Sequence, residues 1–233
     1  MINVDRIYQR VLTLANKEQR GYITPQEFNI FANQAQMDIF EQYFYDLNQF
    51  RRTPGNDTIH ADMVDILEEK ISVFEVTDTL NLTTNSGNLN TLARFYRLSN
   101  VRINNTILES VTKKDWFLFN NSPLTTPTSE RPIYMVDRVN NVITVNAGAE
   151  AVTQVNVDYI QSPRNVNWTY IVVQGKALYN AGAGDARNFD LHPSEETELV
   201  MKILSLAGFT LKDPNLYQTA ASEDMKNIQQ EKQ

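Results

Sequence analysis

Phe95-Tyr96-Arg97-Leu98-Ser99-Asn100-Val101-Arg102-Ile103, turning at Asn104-Asn105 into Thr106-Ile107-Leu108-Glu109, decides how the chain is read. It is rich in β-branched and aromatic residues and broken by asparagine, so it reads as extended chain. The same texture extends outward from Ile71 to Val173. Ile71–Val76 is one short run. Ile133-Tyr134-Met135-Val136 and Val142-Ile143-Thr144-Val145 flank Asp137–Asn141 as a hairpin. Gln154–Ile160 alternates cleanly, and Trp168–Val173 reads as the last strand. Thr112–Trp116 reads as one capped helical turn between strands. Thr83–Thr91 and Asn120–Arg131 lack periodicity and read as exposed loops.

Outside this region the apolar spacing becomes helical. Asn3 caps a helix from Val4 to Ala15, with Val4, Ile7, Tyr8, Val11, Leu14 and Ala15 on one face. Thr24-Pro25-Gln26-Glu27 is a capping box with proline at the first helical position. It opens a long helix to Phe50, striped by Phe28, Phe31, Ala32, Ala35, Ile39, Tyr43, Leu47 and Phe50 and widened by Phe40 and Phe44. A short helix at Ala61–Glu69 follows the break at Thr53–Asp57. His192-Pro193-Ser194-Glu195-Glu196 opens another helix, with acids in its first turn and Gly208 as its C-cap. Asp213-Pro214 starts a final helix through Leu216, Tyr217, Ala220, Ala221, Met225 and Ile228. The expected fold class is therefore α+β, a helical bundle from both chain ends with an inserted antiparallel β portion. Its divisions are 1–70, 71–174 and 175–233.

Composition excludes some functions. The 233 residues carry a formal charge of −7 and no cysteine. A cysteine-free chain has neither disulfides nor a thiolate nucleophile and folds in a reducing cytoplasm. No run is long and apolar enough for a membrane helix, and Met1 leads into polar sequence with no signal-peptide core. No membrane partner is expected. The basic patch of a sequence-independent nucleic-acid binder is missing, Arg51-Arg52 standing alone.

Chemistry-bearing motifs are sparse. Asn16–Glu27 aligns with a twelve-residue calcium loop, with Gly21 at the turn, Ile23 at the buried position and Glu27 at the carboxylate position. Asn16 replaces the first aspartate and Arg20 puts a cation where an oxygen ligand belongs, so a glycine turn between two capped helices is the better reading. His60 and His192 read as loop or cap residues. Gly182-Ala183-Gly184-Asp185 lacks the lysine of a phosphate loop. Asp62/Asp65 and Glu195/Glu196 read as carboxylates on solvated helix faces. Tyr43-Phe44-Tyr45, Phe95-Tyr96 and Trp116-Phe117 are interleaved with acids and belong to core or subunit interface rather than to a base-stacking platform. No catalytic residue, cofactor or metal is expected.

The order of parts resembles the head–tail connector ring proteins of tailed bacteriophages, podovirus tail tubular protein A and the rings of crAss-like phages in particular. Three stretches carry the resemblance: Phe95–Ile103 followed by Val111–Trp116, Pro132–Asp137 through Val142–Val145, and Val155–Pro163. Gly21-Tyr22-Ile23-Thr24-Pro25-Gln26-Glu27-Phe28 is similar to phage neck proteins. The resemblance implies a virion protein at the head–tail junction, a ring of twelve copies that binds the portal and other tail or ring proteins and lets DNA pass without gripping it. The helices would form the ring body and the β portion a lateral wing. The last helix would be a docking arm, its interface formed by Leu216, Tyr217, Ala220, Met225 and Ile228. A receptor- or glycan-binding tail component using the two loops, and a virion-associated hydrolase, are the rival expectations.

Overall fold

The computed structural model of the chain describes residues 1–17, 23–52, 58–148, 151–210 and 222. The chain divides into two compact units, one of Met1–Val73 with Pro163–Gln233 and one of Phe74–Ser162.

The first unit holds α1 (Val4–Lys17), α2 (Pro25–Arg52), α3 (Thr58–Ser72) and α5 (Glu196–Thr210), and the strands β9 (Tyr170–Val173) and β10 (Lys176–Tyr179). α1 starts where Asn3 Oδ1 accepts from the Asp5 and Arg6 N–H groups at 2.9 and 3.1 Å. At the start of α2, Thr24 N–H and Thr24 Oγ1 donate to Glu27 Oε2 at 2.9 and 2.8 Å, and Glu27 N–H returns a bond to Thr24 Oγ1 at 3.3 Å. Those bonds hold the Glu27 carboxyl below its ordinary pKa. The core is made of Val4, Ile7, Tyr8 and Val11 of α1, Phe28, Ala32, Ala35, Ile39 and Phe40 of α2, and Leu199, Ile203 and Ala207 of α5. Trp168 lies among them, its ring 4.2 Å from that of Tyr8.

One face of α2 is polar yet covered. Asn29, Asn33 and Gln36, spaced so that they share that face, serve the extended segment Arg164–Trp168 as a neighbouring strand would. Asn29 Oδ1 accepts from Trp168 N–H at 2.8 Å, and Asn29 Nδ2 donates to Trp168 O at 3.3 Å. Asn33 Oδ1 accepts from Val166 N–H at 2.7 Å, and Asn33 Nδ2 donates to Val166 O at 3.0 Å. Gln36 Nε2 donates to Arg164 O at 2.8 Å, and Gln36 Oε1 accepts from Asp190 N–H at 3.0 Å. Asp190 in turn binds the Arg164 guanidinium through both its oxygens. The backbone N–H and C=O of both Val166 and Trp168 are thereby paired.

The second unit carries β1 (Glu75–Asn81), β2 (Ser86–Asn88), β3 (Phe95–Ile103), β4 (Thr106–Ile107), β5 (Glu109–Ser110), α4 (Lys113–Asn121), β6 (Ile133–Asp137), β7 (Val142–Asn146) and β8 (Gln154–Gln161). Its two four-stranded sheets have the orders β1-β8-β3-β4 and β2-β7-β6-β5. Leu80, Val101, Val155, Val157 and Tyr159 from the first sheet and Tyr134, Ile143 and Val145 from the second share one apolar core with Leu82, Leu89, Leu92 and Leu108.

Several expectations are corrected. The chain is α+β, but it is not a helical bundle from both chain ends with an inserted antiparallel β wing. Among the described residues there are three sheets, α4 lies within the β-rich unit, and β9–β10 belong to the unit built from the chain ends. The β5–β6 ladder is parallel, not antiparallel. Thr112–Trp116 is the start of a nine-residue helix, not a single turn. Ile71 and Ser72 finish α3 rather than begin a strand. Thr83–Thr91 is not wholly an exposed loop: Gly87 is buried in β2, and Leu89 is the one buried residue of a 3-10 turn. Gly208 lies inside α5 and does not cap it.

Two outcomes follow from this packing. Asn33→Ala strands both backbone groups of Val166, so urea denaturation should show a loss of about 3 kcal/mol; a loss under about 1 kcal/mol would mean water replaces the amide. Gly87→Ala would place its Cβ 2.6 Å from Leu82 Cδ2 and 3.0 Å from Leu80 Cδ2. It should lower stability by about 1–2 kcal/mol, read as a lower melting temperature of the second unit.

Candidate functional site

The residues expected to form an interface, Leu216, Tyr217, Ala220, Met225 and Ile228, lie outside the described residues, as do positions 18–22 of the loop that resembles a calcium site. The side chains of His60 and Asp62 also lie outside the described residues, while other flagged residues are placed. Asn16 is exposed, and Glu27 spends one carboxylate oxygen on Thr24. His192 caps the 3-10 turn Pro193–Glu195, its Nδ1 accepting from Ser194 N–H. Asp185 sits in a turn-rich loop where Asn167 Nδ2 donates to its carbonyl and carboxylate oxygens. Among the described residues there is no group of three or more His, Cys, Asp or Glu side chains able to hold a metal ion. None of the described helices is long and apolar enough to cross a membrane.

Glu195 and Glu196 are not on a solvated face. Glu195 is buried where α2, α3 and α5 meet, with Lys70 Nζ 2.8 Å from its Oε1. Ser194 Oγ donates to the same oxygen at 3.0 Å. Lys202 Nζ reaches Gln42 Oε1 at 3.1 Å and Glu198 Oε1 at 3.3 Å. Burial, the largest influence on Glu195, pushes its carboxyl up. The bonds with Lys70, Glu198 and Ser194 and the Lys70 charge outweigh it and hold the carboxyl below its ordinary value. The arrangement neutralises buried charge pairwise, and the space among these residues is about 10 Å³, at most one water. No substrate fits there.

The surface offers larger features. A groove of about 520 Å³ runs between α1 and α5, lined by Leu14, Val200, Met201 and the stems of Arg6, Gln9 and Arg10. Its arginine heads turn to one side, Arg6 Nε and Arg10 Nη1 lying 2.9 and 2.7 Å from Glu196 Oε1.

The β9–β10 hairpin is the second feature. Gln174 and Gly175 turn it, both at positive φ (50° and 77°), the mirror-image turn that matches strand twist. Its root is rigid. Asn180 N–H donates to Thr169 O at 2.9 Å, Thr169 Oγ1 donates to Asn180 O at 2.7 Å, and the Trp168 ring stacks on Tyr170 and Tyr179 at 5.8 and 5.9 Å. Its body is apolar and bare: Ile171 is 50% exposed, Val172 67%, Val173 44% and Leu178 49%. In the other unit, α4 shows Phe117 and Leu118 to solvent and buries no residue.

The hairpin could have been suspected from Gln174-Gly175 between Tyr170–Val173 and Lys176–Tyr179. The groove could not, because its walls come from opposite ends of the chain. No protein-family model matches the chain, and no curated protein is significantly similar to it in sequence.

Glu195 binds protons less readily folded than unfolded, so its contribution to stability is present above the unfolded glutamate pKa, about 4.3, and is lost as pH falls through the folded value. Lys70→Met leaves that carboxylate buried and unpaired and should cost about 3–5 kcal/mol at pH 7. The double variant with Glu195→Leu should recover most of the loss. A double-variant loss equal to the sum of the Lys70→Met and Glu195→Leu losses, by chemical denaturation, would show that the pair is not coupled.

Proposed function

We propose that this protein is a structural subunit of a phage neck: a virion protein that forms a ring at the head–tail junction, joins portal to tail and extends the DNA channel. The observation that carries the assembly part is the β9–β10 hairpin, a rigidly anchored element whose body is apolar and open to water. An isolated subunit gains nothing from holding such a patch in solvent, whereas an interface does. The place in the virion rests on the resemblance of Phe95–Ile103, Val111–Trp116, Pro132–Val145 and Val155–Pro163 to connector proteins.

The mechanism is geometric and assigns no residue a chemical step. Copies repeated around a bore place many like charges about it, and a subunit with net charge −7 favours passage of DNA over capture. The portal, further ring or tail proteins and the protein itself are its partners, with the stripe of Leu216, Tyr217, Ala220, Met225 and Ile228 as a docking arm. It is made in the host cytoplasm and ends in the particle.

Negative-stain images and native mass spectra of the protein mixed with its portal should show rings. Deleting 213–233 should leave circular dichroism and melting of the remainder intact while abolishing incorporation into particles. A truncated protein that enters particles normally would remove the docking arm. A full-length protein that stays monomeric with portal present would remove the ring.

A further inference from the structure

The hairpin and the groove sit on opposite flanks of the same helix. Tyr8 faces the hairpin root, its ring 4.2 Å from Trp168, while Arg10, two residues on, lines the groove. At about 100° per residue these two side chains project roughly 160° apart. One flank of the first unit thus carries a projecting apolar element, and the other an apolar recess.

We infer that, in the ring proposed above, the β9–β10 hairpin of one copy seats in the α1–α5 groove of the next copy. A heterologous interface repeated around a closed ring needs two different patches per subunit, each used once. A foreign partner would account for one of these patches and leave the other in water, whereas a second copy covers both.

The dimensions agree. Ile171, Val173 and Leu178 lie on one face of the hairpin, Ile171 directly opposite Leu178 in the ladder. Together these three half-exposed side chains supply one apolar face, a contribution to the ~800 Å² that each partner brings to a stable interface; Val172 lies on the opposite face with Tyr170 and Tyr179. The 520 Å³ groove is within the roughly 300–1,000 Å³ of sites that enclose compact apolar groups. Lys176 shares the face of Ile171 but sits beside the turn, where its stem can carry the charge out to water past Arg6 and Arg10.

The absence of cysteine from the chain makes the test clean, because any disulfide must join introduced residues. Full-length Leu178→Cys and Met201→Cys proteins are prepared separately, mixed with portal and oxidised. A disulfide-linked dimer should form in the mixture and in neither variant alone. Rapid dimerisation of Leu178→Cys by itself would mean that hairpins pair with hairpins, and would overturn the inference. So would a mixture that stays uncrosslinked. As an independent check, Ile171→Asp, at a half-exposed position on the docking face, should leave circular dichroism unchanged yet lower ring yield at least tenfold; a folded variant with unchanged yield overturns the inference. Rings without the mixed disulfide would remove this interface and leave the connector proposal standing. A mixed disulfide in a protein absent from purified particles would do the reverse.

Discussion

The paired amides of Asn29, Asn33 and Gln36 are the constraint on which the first unit depends. An extended segment laid against a helix normally leaves half its peptide groups unpaired, and each unpaired buried group costs about 1–3 kcal/mol. Here α2 offers carboxamides that donate and accept at once, so one edge of Arg164–Trp168 is held as if by a strand, while on the other edge Asn167 forms a β-bridge with Arg187. The partners of Asn29 are up to 139 residues away. That seam ties the chain after the β-rich unit back to the helices before it, and it sets Trp168 against Tyr8. Trp168 then fixes the direction in which the hairpin leaves the surface.

A second polar feature works by different physics. Lys70 and Glu195 are almost wholly withdrawn from water, with side chains 12% and 3% exposed. A pair so placed returns in Coulomb energy much of what its dehydration costs, and contributes little net stability over an apolar pair of like shape. It does make any other docking of α3 against the Pro193–Glu195 turn expensive, since a shift of one turn would strand both charges. The unit is therefore positioned by polar groups and filled by apolar ones. A firm frame of this kind lets hairpin and groove keep apolar surface in solvent without collapsing onto it.

In the second unit the stretch Phe95–Ile103 is a strand, but an irregular one. Its pairing with β8 slips between Phe95 and Arg97 and again between Leu98 and Asn100. Those slips explain why apolar residues do not alternate along it, and why Val101 alone is fully buried. β8, which has no such slip against β1, alternates in sequence and in burial from Gln154 to Tyr159, with Ile160 buried beside it at the strand end. Legibility thus followed regularity. The burial of Leu89 and Gly87 was not legible, because a three-residue strand and a 3-10 turn are too short to show a period.

What the sequence determined by itself was local: the Asn3 and Thr24 caps, the helix faces that begin at Val4 and Pro25, the hairpin of β6 and β7, and the alternation of β8. Each depends on residues within a few positions of one another, where backbone and side-chain geometry act directly. Only the tertiary structure decided that Asn33 pairs with Val166, that Glu195 is buried on Lys70, that β5 runs parallel to β6, and that α1 and α5 enclose a groove. Those outcomes join residues distant along the chain. Whether a polar side chain meets water or a partner is a property of the folded neighbourhood, and the same asparagine or glutamate reads identically in sequence either way.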